Sequence, residues 1–160
     1  MATSAKTLME GSKAPKFKLP TDGGGEASLS DFAGAPLVLY FYPKDDTSGC
    51  TKEALDFSAK IRSFAKLGVK IVGVSKDSVA RHDKFKAKHK LKVTLASDED
   101  AKVINAYGSW VEKTLYGRKY MCIDRSTFLI DAKGVIRNIW RKVRVPGHVE
   151  AVLEAAGNLD

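Results

Sequence analysis

Residues 37 to 57 read LVLYFYPKDDTSGCTKEALDF. Leu37-Val38-Leu39-Tyr40-Phe41-Tyr42 is an unbroken apolar run, which reads as the central strand of a sheet. Pro43 and a polar stretch end it. After Ser48-Gly49 and Cys50 a helical pattern opens, carried by Ala54, Phe57, Ile61, Phe64 and Ala65. The stretch is thus a strand, a tight loop, and a helix with a cysteine in its first turn. The first amides of a helix lack intrahelical partners and carry partial positive charge, so a thiolate is favoured there.

The rest of the chain alternates in the same way. Lys16 to Phe32, with Gly23-Gly24-Gly25, reads as a β-hairpin with a glycine turn. No Lys-Ser/Thr follows those glycines, so a phosphate loop is disfavoured. The helix after Cys50 is expected to run to Leu67 and stop at Gly68. Val69–Ser75 is a strand, Ser78 starts a helix to about His89, and Val93–Ala96 is a short strand. Asp98 is expected to cap a helix of about Asp100 to Tyr107. Gly108–Gly117, with Trp110 as an anchor, reads as a loop. Tyr120–Asp124 and Thr127–Asp131 are strands, and Ala132-Lys133-Gly134 turns the chain into a hairpin ending at Trp140. Gly147–Ala156 is the last helix. Such alternation, ending in a hairpin, indicates an α/β domain with a mixed sheet. Residues 1–10 are expected to be a tail and 11–160 a single domain.

At 160 residues the chain is long enough for a sizeable core. No apolar run approaches the roughly 20 residues of a membrane span, and no secretory h-region is visible. The net charge of +8 raises nucleic-acid binding. The cations, however, sit on solvated faces: Arg81, Lys84, Lys86, Lys88 and Lys90 interleave with Phe85, Ala87 and Leu91, and Arg137 to Arg144 is a second surface segment. Specific nucleic-acid binding and membrane association are therefore not expected. Two cysteines, Cys50 and Cys122, share no metal spacing with His82, His89 and His148, so no metal is expected. Sparse cysteine favours a reducing, cytoplasmic compartment.

Pro43-x-x-x-Thr47-x-x-Cys50 has the spacing of the peroxiredoxin active site. The fuller string from Phe41 to Ala54 resembles the bacterioferritin-comigratory, or PrxQ, branch, and Arg125-Ser126-Thr127-Phe128-Leu129-Ile130-Asp131 resembles that branch's arginine strand. The resemblance runs from about Gly11 to about Leu153. It implies a thioredoxin-like fold, with a central mixed sheet flanked by helices and an N-terminal β-hairpin. It also implies a thiol peroxidase acting on hydrogen peroxide and organic hydroperoxides without a cofactor. Thioredoxin, glutaredoxin or a small thiol would be the reductant, and the protein would be a monomer or weak homodimer. Cys50 would be oxidised to a sulfenic acid. Carried over at matching positions, Thr47 would hydrogen-bond the sulfur or the peroxide, Arg125 would supply a fixed cation, and Pro43 would shape the pocket. The amides of Gly49 and Cys50 would point into the same space. Asp45, Asp46 and Glu53 are expected to solvate the loop and complement the helix start, with Glu53 near enough to orient the site.

The chain departs from that branch in two places. Many members carry a resolving cysteine five residues after the first, where Leu55 stands here, on what is expected to be the helix's buried face. Others place it in the next helix, which has none. Position 48 is often proline and is Ser48 here. Cys50 then works with an outside thiol, or Cys122 resolves it within the chain or from a neighbouring subunit; a strand cysteine such as Cys122 is more often a buried structural residue. The lead reading is a one-cysteine peroxidase. The alternative is a peroxide sensor or holdase that oxidises at Cys50 with little turnover.

Overall fold

The structure is a computed structural model and describes residues 8–159. Residues 1–7 of the expected tail lie outside the described residues. Glu10, also within it, accepts a hydrogen bond from the Ile139 amide at 3.2 Å.

The N-terminal hairpin pairs β1 (Lys18–Pro20) with β2 (Glu26–Ser28), and a short 3-10 turn at Asp22–Gly24 joins them. The apolar run becomes β3 (Leu37–Phe41), buried at all five positions. It is followed by α1 (Ser48–Ala59), α2 (Ile61–Lys66), β4 (Lys70–Ser75), α3 (Val79–His89) and β5 (Thr94–Ser97). Then come α4 (Lys102–Ala106), β6 (Trp110–Leu115), β7 (Arg118–Ile123), β8 (Ser126–Ile130), β9 (Ile136–Trp140) and α5 (His148–Gly157). Five strands form one sheet in the order β5-β4-β3-β8-β9. β3 pairs parallel to β4 and antiparallel to β8, so the sheet is mixed. Helical crossovers connect the parallel neighbours, as such connections require.

Alternation along β3 divides the core between two layers. Val38, Tyr40 and Tyr42 pack with Cys50, Ala54, Phe57, Phe64, Val149 and Val152 from the helices on one face. Leu37, Leu39 and Phe41 pack with Phe17, Leu19, Ile104, Tyr107 and Phe128 on the other. Gly73 lies opposite Tyr40 in the register, and a Cβ there would stand 2.5 Å from the Tyr40 ring. That glycine is what lets the Tyr40 ring lie back and stack on Phe57 at 4.7 Å, beneath the cysteine-bearing helix. A thioredoxin-like sheet thus presents the end of its central strand to the first turn of α1.

Several expected elements differ. The helix over Cys50–Leu67 is two, because the chain leaves helical geometry at Lys60 (φ −103, ψ 8). Leu55 is 40% exposed, not buried. The buried positions of α1 are Cys50, Glu53, Ala54 and Phe57, an i, i+3, i+4, i+7 stripe that leaves position 55 on the far side. Residues 110–115 form β6 rather than loop. β6 pairs with β7 through a turn at Tyr116–Gly117, both with positive φ, the backbone of a tight two-residue hairpin. Its period was hidden because Glu112, Lys113, Thr114 and Leu115 are all exposed. The helix boundaries behave more simply. Ser78 caps α3 by accepting the Arg81 amide at 3.2 Å. Asp98 accepts the Ile104 amide at 2.8 Å, although α4 itself begins only at Lys102. Trp110 opens β6 half-buried, with the Lys76 ammonium 4.8 Å from its ring.

Candidate active site

The loop between β3 and α1 is held from below. Asp45 and Glu53 are buried rather than solvating, a correction to the sequence reading, and each has a partner that accounts for it. The Asp45 carboxylate accepts from the Tyr42 hydroxyl at 2.6 Å and lies 2.7 Å from Nδ1 of His82 on α3. Its amide donates to Asp77 at 2.7 Å, and Asp77 also accepts from the Ser75 hydroxyl. Asp46 takes the left-handed conformation (φ 62) and is exposed, as expected; its carboxylate meets Lys88 at 2.7 Å and His89 at 2.8 Å. The loop is thereby tied to β4 and α3 on both sides of its turn. A buried network with its polar groups satisfied makes a rigid support.

Thr47 is the N-cap residue of α1, and the first helical bond runs from the Thr51 amide to the Thr47 carbonyl at 2.8 Å. The amides of Ser48, Gly49 and Cys50 precede that ladder and are the donors a helix start leaves open. Cys50 sits among them with only 1% of its surface exposed. The Thr47 hydroxyl donates to the Lys44 carbonyl at 3.0 Å. Its oxygen lone pairs remain able to accept.

Arg125 reaches this turn from the segment between β7 and β8. Its carbonyl accepts the Val143 amide at 3.0 Å, which fixes the backbone. Its guanidinium then forks: Nη2 donates to Cys50 Sγ at 3.4 Å and Nη1 to Glu53 Oε1 at 2.7 Å. Gly49 makes the approach possible, since a Cβ there would lie 3.1 Å from Nη2. Burial works against the charged guanidinium, but Glu53 and Cys50 outweigh it and hold its pKa above the ordinary value. Pro43 is exposed and lines a cleft of about 610 Å³ together with Val111, Lys113, Ile123, Arg125 and Val143. The structure therefore brings Cys50 and Arg125 into contact, sets Thr47 at the cap, and places Pro43 on the wall of the cleft that Arg125 closes. Cys122 lies in β7 opposite Val111, half-buried, and both cysteines are free thiols. Among the described residues no group of three or more His, Cys, Asp and Glu side chains could hold a metal ion, and no helix is long and apolar enough to cross a membrane.

Three site residues escaped the sequence reading in whole or part. Glu53 is fully buried, and burial raises its carboxyl to about 7 despite the opposing pull of Arg125. Its Oε2 and the Tyr40 hydroxyl have no hydrogen-bond partner among the described residues. Burial, with the Glu53 carboxylate adding to it, keeps the Tyr40 phenol neutral. His148, the first residue of α5, is pushed down to about 4 by burial and by Arg125, and lies 2.8 Å from the Thr127 hydroxyl. A neutral His148 leaves Arg125 as the cation in contact with the sulfur. Position 53 could have been found by completing the α1 stripe through 50, 54 and 57. Tyr40 and His148 gave no comparable signal, being a hydroxyl inside an apolar run and a residue distant in sequence.

The raised Glu53 carboxyl has a measurable consequence. Between about pH 4.5 and 7 the folded protein holds a proton that the unfolded chain has lost. The stability this confers is complete below about 4.5 and is lost as pH rises through about 7. Glu53→Gln is uncharged throughout. Its stability relative to the parent is expected to rise across that window by about 3 kcal/mol. Urea denaturation at both ends of the window measures this, and a constant difference contradicts it.

The chain matches the AhpC/TSA family over residues 11–139. It is 52% identical over 143 residues to the putative peroxiredoxin bcp of Coxiella burnetii, covering 89% of this chain and 95% of that one. It is 48% identical to peroxiredoxin Bcp of Bacillus subtilis, covering 92% and 94% of the two chains. Peroxiredoxin Q of Xanthomonas campestris superposes with a TM-score of 0.86 at 47% identity, over 88% of this chain and 89% of that one. A further solved structure, of the Xanthomonas campestris bacterioferritin comigratory protein, concerns its alkyl peroxide reduction activity and has a TM-score of 0.86 at 46% identity, over 88% of this chain and 90% of that one. With this likeness along nearly its whole length, the chain belongs to the AhpC/TSA family as a peroxiredoxin of the Bcp/PrxQ branch, an enzyme with thiol peroxidase activity.

Proposed function

We propose that Cys50 reduces hydrogen peroxide and small organic hydroperoxides by a one-cysteine mechanism, with an external thiol as reductant. The observation that carries this reading is the 3.4 Å contact between Arg125 Nη2 and Cys50 Sγ, made inside the open amides of a helix start. The thiolate attacks one peroxide oxygen, the S–O bond forms as the O–O bond breaks, and the electron pair leaves on the far oxygen. That oxygen takes a proton and departs as water or an alcohol. Cys50 is left as a sulfenic acid.

A buried thiolate alone does not make this fast, because nucleophilicity falls as a thiol becomes more acidic. Rate comes from donors aimed at the developing charge. Arg125 and the amides of Gly49 and Cys50 fill that role. The Thr47 oxygen, whose own proton is engaged by Lys44, accepts the peroxide O–H and orients it. Pro43 walls the entry and adds no competing N–H.

Support for the external thiol lies at three positions. Leu55 stands where a resolving cysteine is common, α3 contains no cysteine, and Cys122 is one of a cross-strand pair in the β6–β7 hairpin. Replacing Cys122 by serine tests this directly. After one equivalent of peroxide and a sulfenate trap, without reductant, parent and variant are expected to give the same adduct at Cys50. A parent that instead loses about two hydrogens or dimerises covalently, while the variant is trapped at Cys50, would make Cys122 the resolving residue.

A further inference from the structure

The β6–β7 hairpin stands apart from the five-stranded sheet, its strands pairing only with each other. Its outer half is apolar and unburied. Tyr116 at the tip is 95% exposed, and Leu115, Tyr120 and Met121 are each about half exposed. Those four account for most of the large exposed hydrophobic side chains among the described residues. In the register Leu115 lies opposite Arg118 and Lys113 opposite Tyr120, so these four exposed side chains share one face of the hairpin with Val111, while Glu112, Lys119 and Met121 lie on the other. Such exposure leaves much of their apolar surface in water, where it adds nothing to the core. Clustered exposed apolar groups rimmed by charge mark an interaction surface.

The root of the hairpin shows where that surface leads. Val111, Glu112 and Lys113 from β6 and Ile123 from β7 line the same cleft as Pro43, Asp124, Arg125 and Lys142. The Arg125 guanidinium touches Cys50 Sγ. A partner seated on the hairpin therefore lies beside the cleft lined by Arg125, the residue in contact with the sulfur that needs a reductant.

We infer that the β6–β7 hairpin is the docking platform for a dithiol reductant protein with an acidic rim around its reactive thiol; this rests on the external-thiol reading above. Charge selects the occupant. A second copy would bring Lys113 and Arg118 against their like in a symmetric contact, whereas an acidic rim complements them. The face is a projecting one, suited to a protein rather than to a small thiol. Once docked, the partner's first thiol condenses with the Cys50 sulfenic acid: an S–S bond forms, the S–O bond breaks, and water leaves with the thiol proton. The partner's second thiol then attacks the mixed disulfide. Cys50 returns as a thiol, and the partner, having supplied both electrons, leaves as a disulfide.

The test compares two reductants on one enzyme. Peroxide turnover is measured with thioredoxin, its reductase and NADPH, and separately with dithiothreitol. In the variant Leu115→Ser/Tyr116→Ser/Tyr120→Ser the KM for thioredoxin is expected to rise at least about tenfold, as when interface anchors are truncated. Arg118→Glu is expected to do the same, and to weaken the salt dependence of that KM. Dithiothreitol-supported turnover and the single-turnover oxidation of Cys50 are expected to stay at parental values in both. An unchanged thioredoxin KM overturns the inference, as does an equal loss with dithiothreitol, which would make the hairpin structural. Failure of thioredoxin to support the parent enzyme, with dithiothreitol working, also overturns it and leaves the peroxidase reading standing. A change in oligomeric state without a change in KM would reassign the surface to contacts between copies.

Discussion

Cys50→Ser is expected to abolish peroxide reduction while leaving the fold in place. Serine is close in size to cysteine, and the position lies at the start of α1 with open amides around it, so a hydroxyl finds donors there and packing is kept. The chemistry is not kept. Attack on the O–O bond requires an ionised, polarisable nucleophile, and the serine hydroxyl stays protonated. Consumption of hydrogen peroxide with dithiothreitol should fall to that of buffer, with thermal unfolding close to the parent's. Residual turnover in the serine variant would place the reactive thiol elsewhere, and Cys122 would be the group to examine.

Arg125→Met ranks second. Methionine spans a similar length without charge or donors. The variant removes the fork that joins Cys50 Sγ at 3.4 Å to Glu53 Oε1 at 2.7 Å. Removing one preorganised donor from a developing charge costs on the order of 10²–10³ in rate. Arg125 also touches the sulfur itself, so the single-turnover rate at neutral pH is expected to fall at least that far. Arg125→Lys should recover part of it, because a point charge replaces the cation but cannot reproduce two bonds in fixed geometry. Loss of Arg125 also strands Glu53 in the core, and one half of a buried pair left alone is strongly destabilising. The double variant Arg125→Met/Glu53→Gln restores a neutral core and separates the two effects: stability returns and the rate does not. A single-turnover rate that recovers in the double variant would show that Arg125 acts only by holding the structure.

The turn that carries Cys50 could be read in the sequence because its constraints are local. A strand without a polar face must be central, Pro43 must end it, and a cysteine three residues past Thr47 must fall in the first helical turn. Arg125 was legible only by resemblance, since nothing near it in sequence says that it will cross to Cys50. What stayed hidden was set by tertiary packing. Leu55, the most hydrophobic side chain of its turn, is left 40% exposed while Glu53 is buried, because the stripe through Cys50, Ala54 and Phe57 is fixed by contact with β3 and α5. Periodicity ranks positions by hydrophobicity and so misplaces a carboxylate whose burial is supported by an arginine 72 residues away. The β6 strand failed for the opposite reason: a hairpin exposed on both faces has no buried face to impose a period of two. Tyr40 depends on a glycine on the neighbouring strand, a relation that exists only once the β3–β4 register is set.

The most direct measurement is the intact mass of the unreduced protein after one equivalent of hydrogen peroxide in the presence of a sulfenate trap, followed by mapping of the adduct. A single trapped adduct on monomeric protein, located at Cys50 and absent from Cys122, is the predicted result. An adduct at Cys122 in place of Cys50 would contradict the assignment of the reactive thiol. A mass lower by about two hydrogens, or a covalent dimer, would contradict the one-cysteine mechanism.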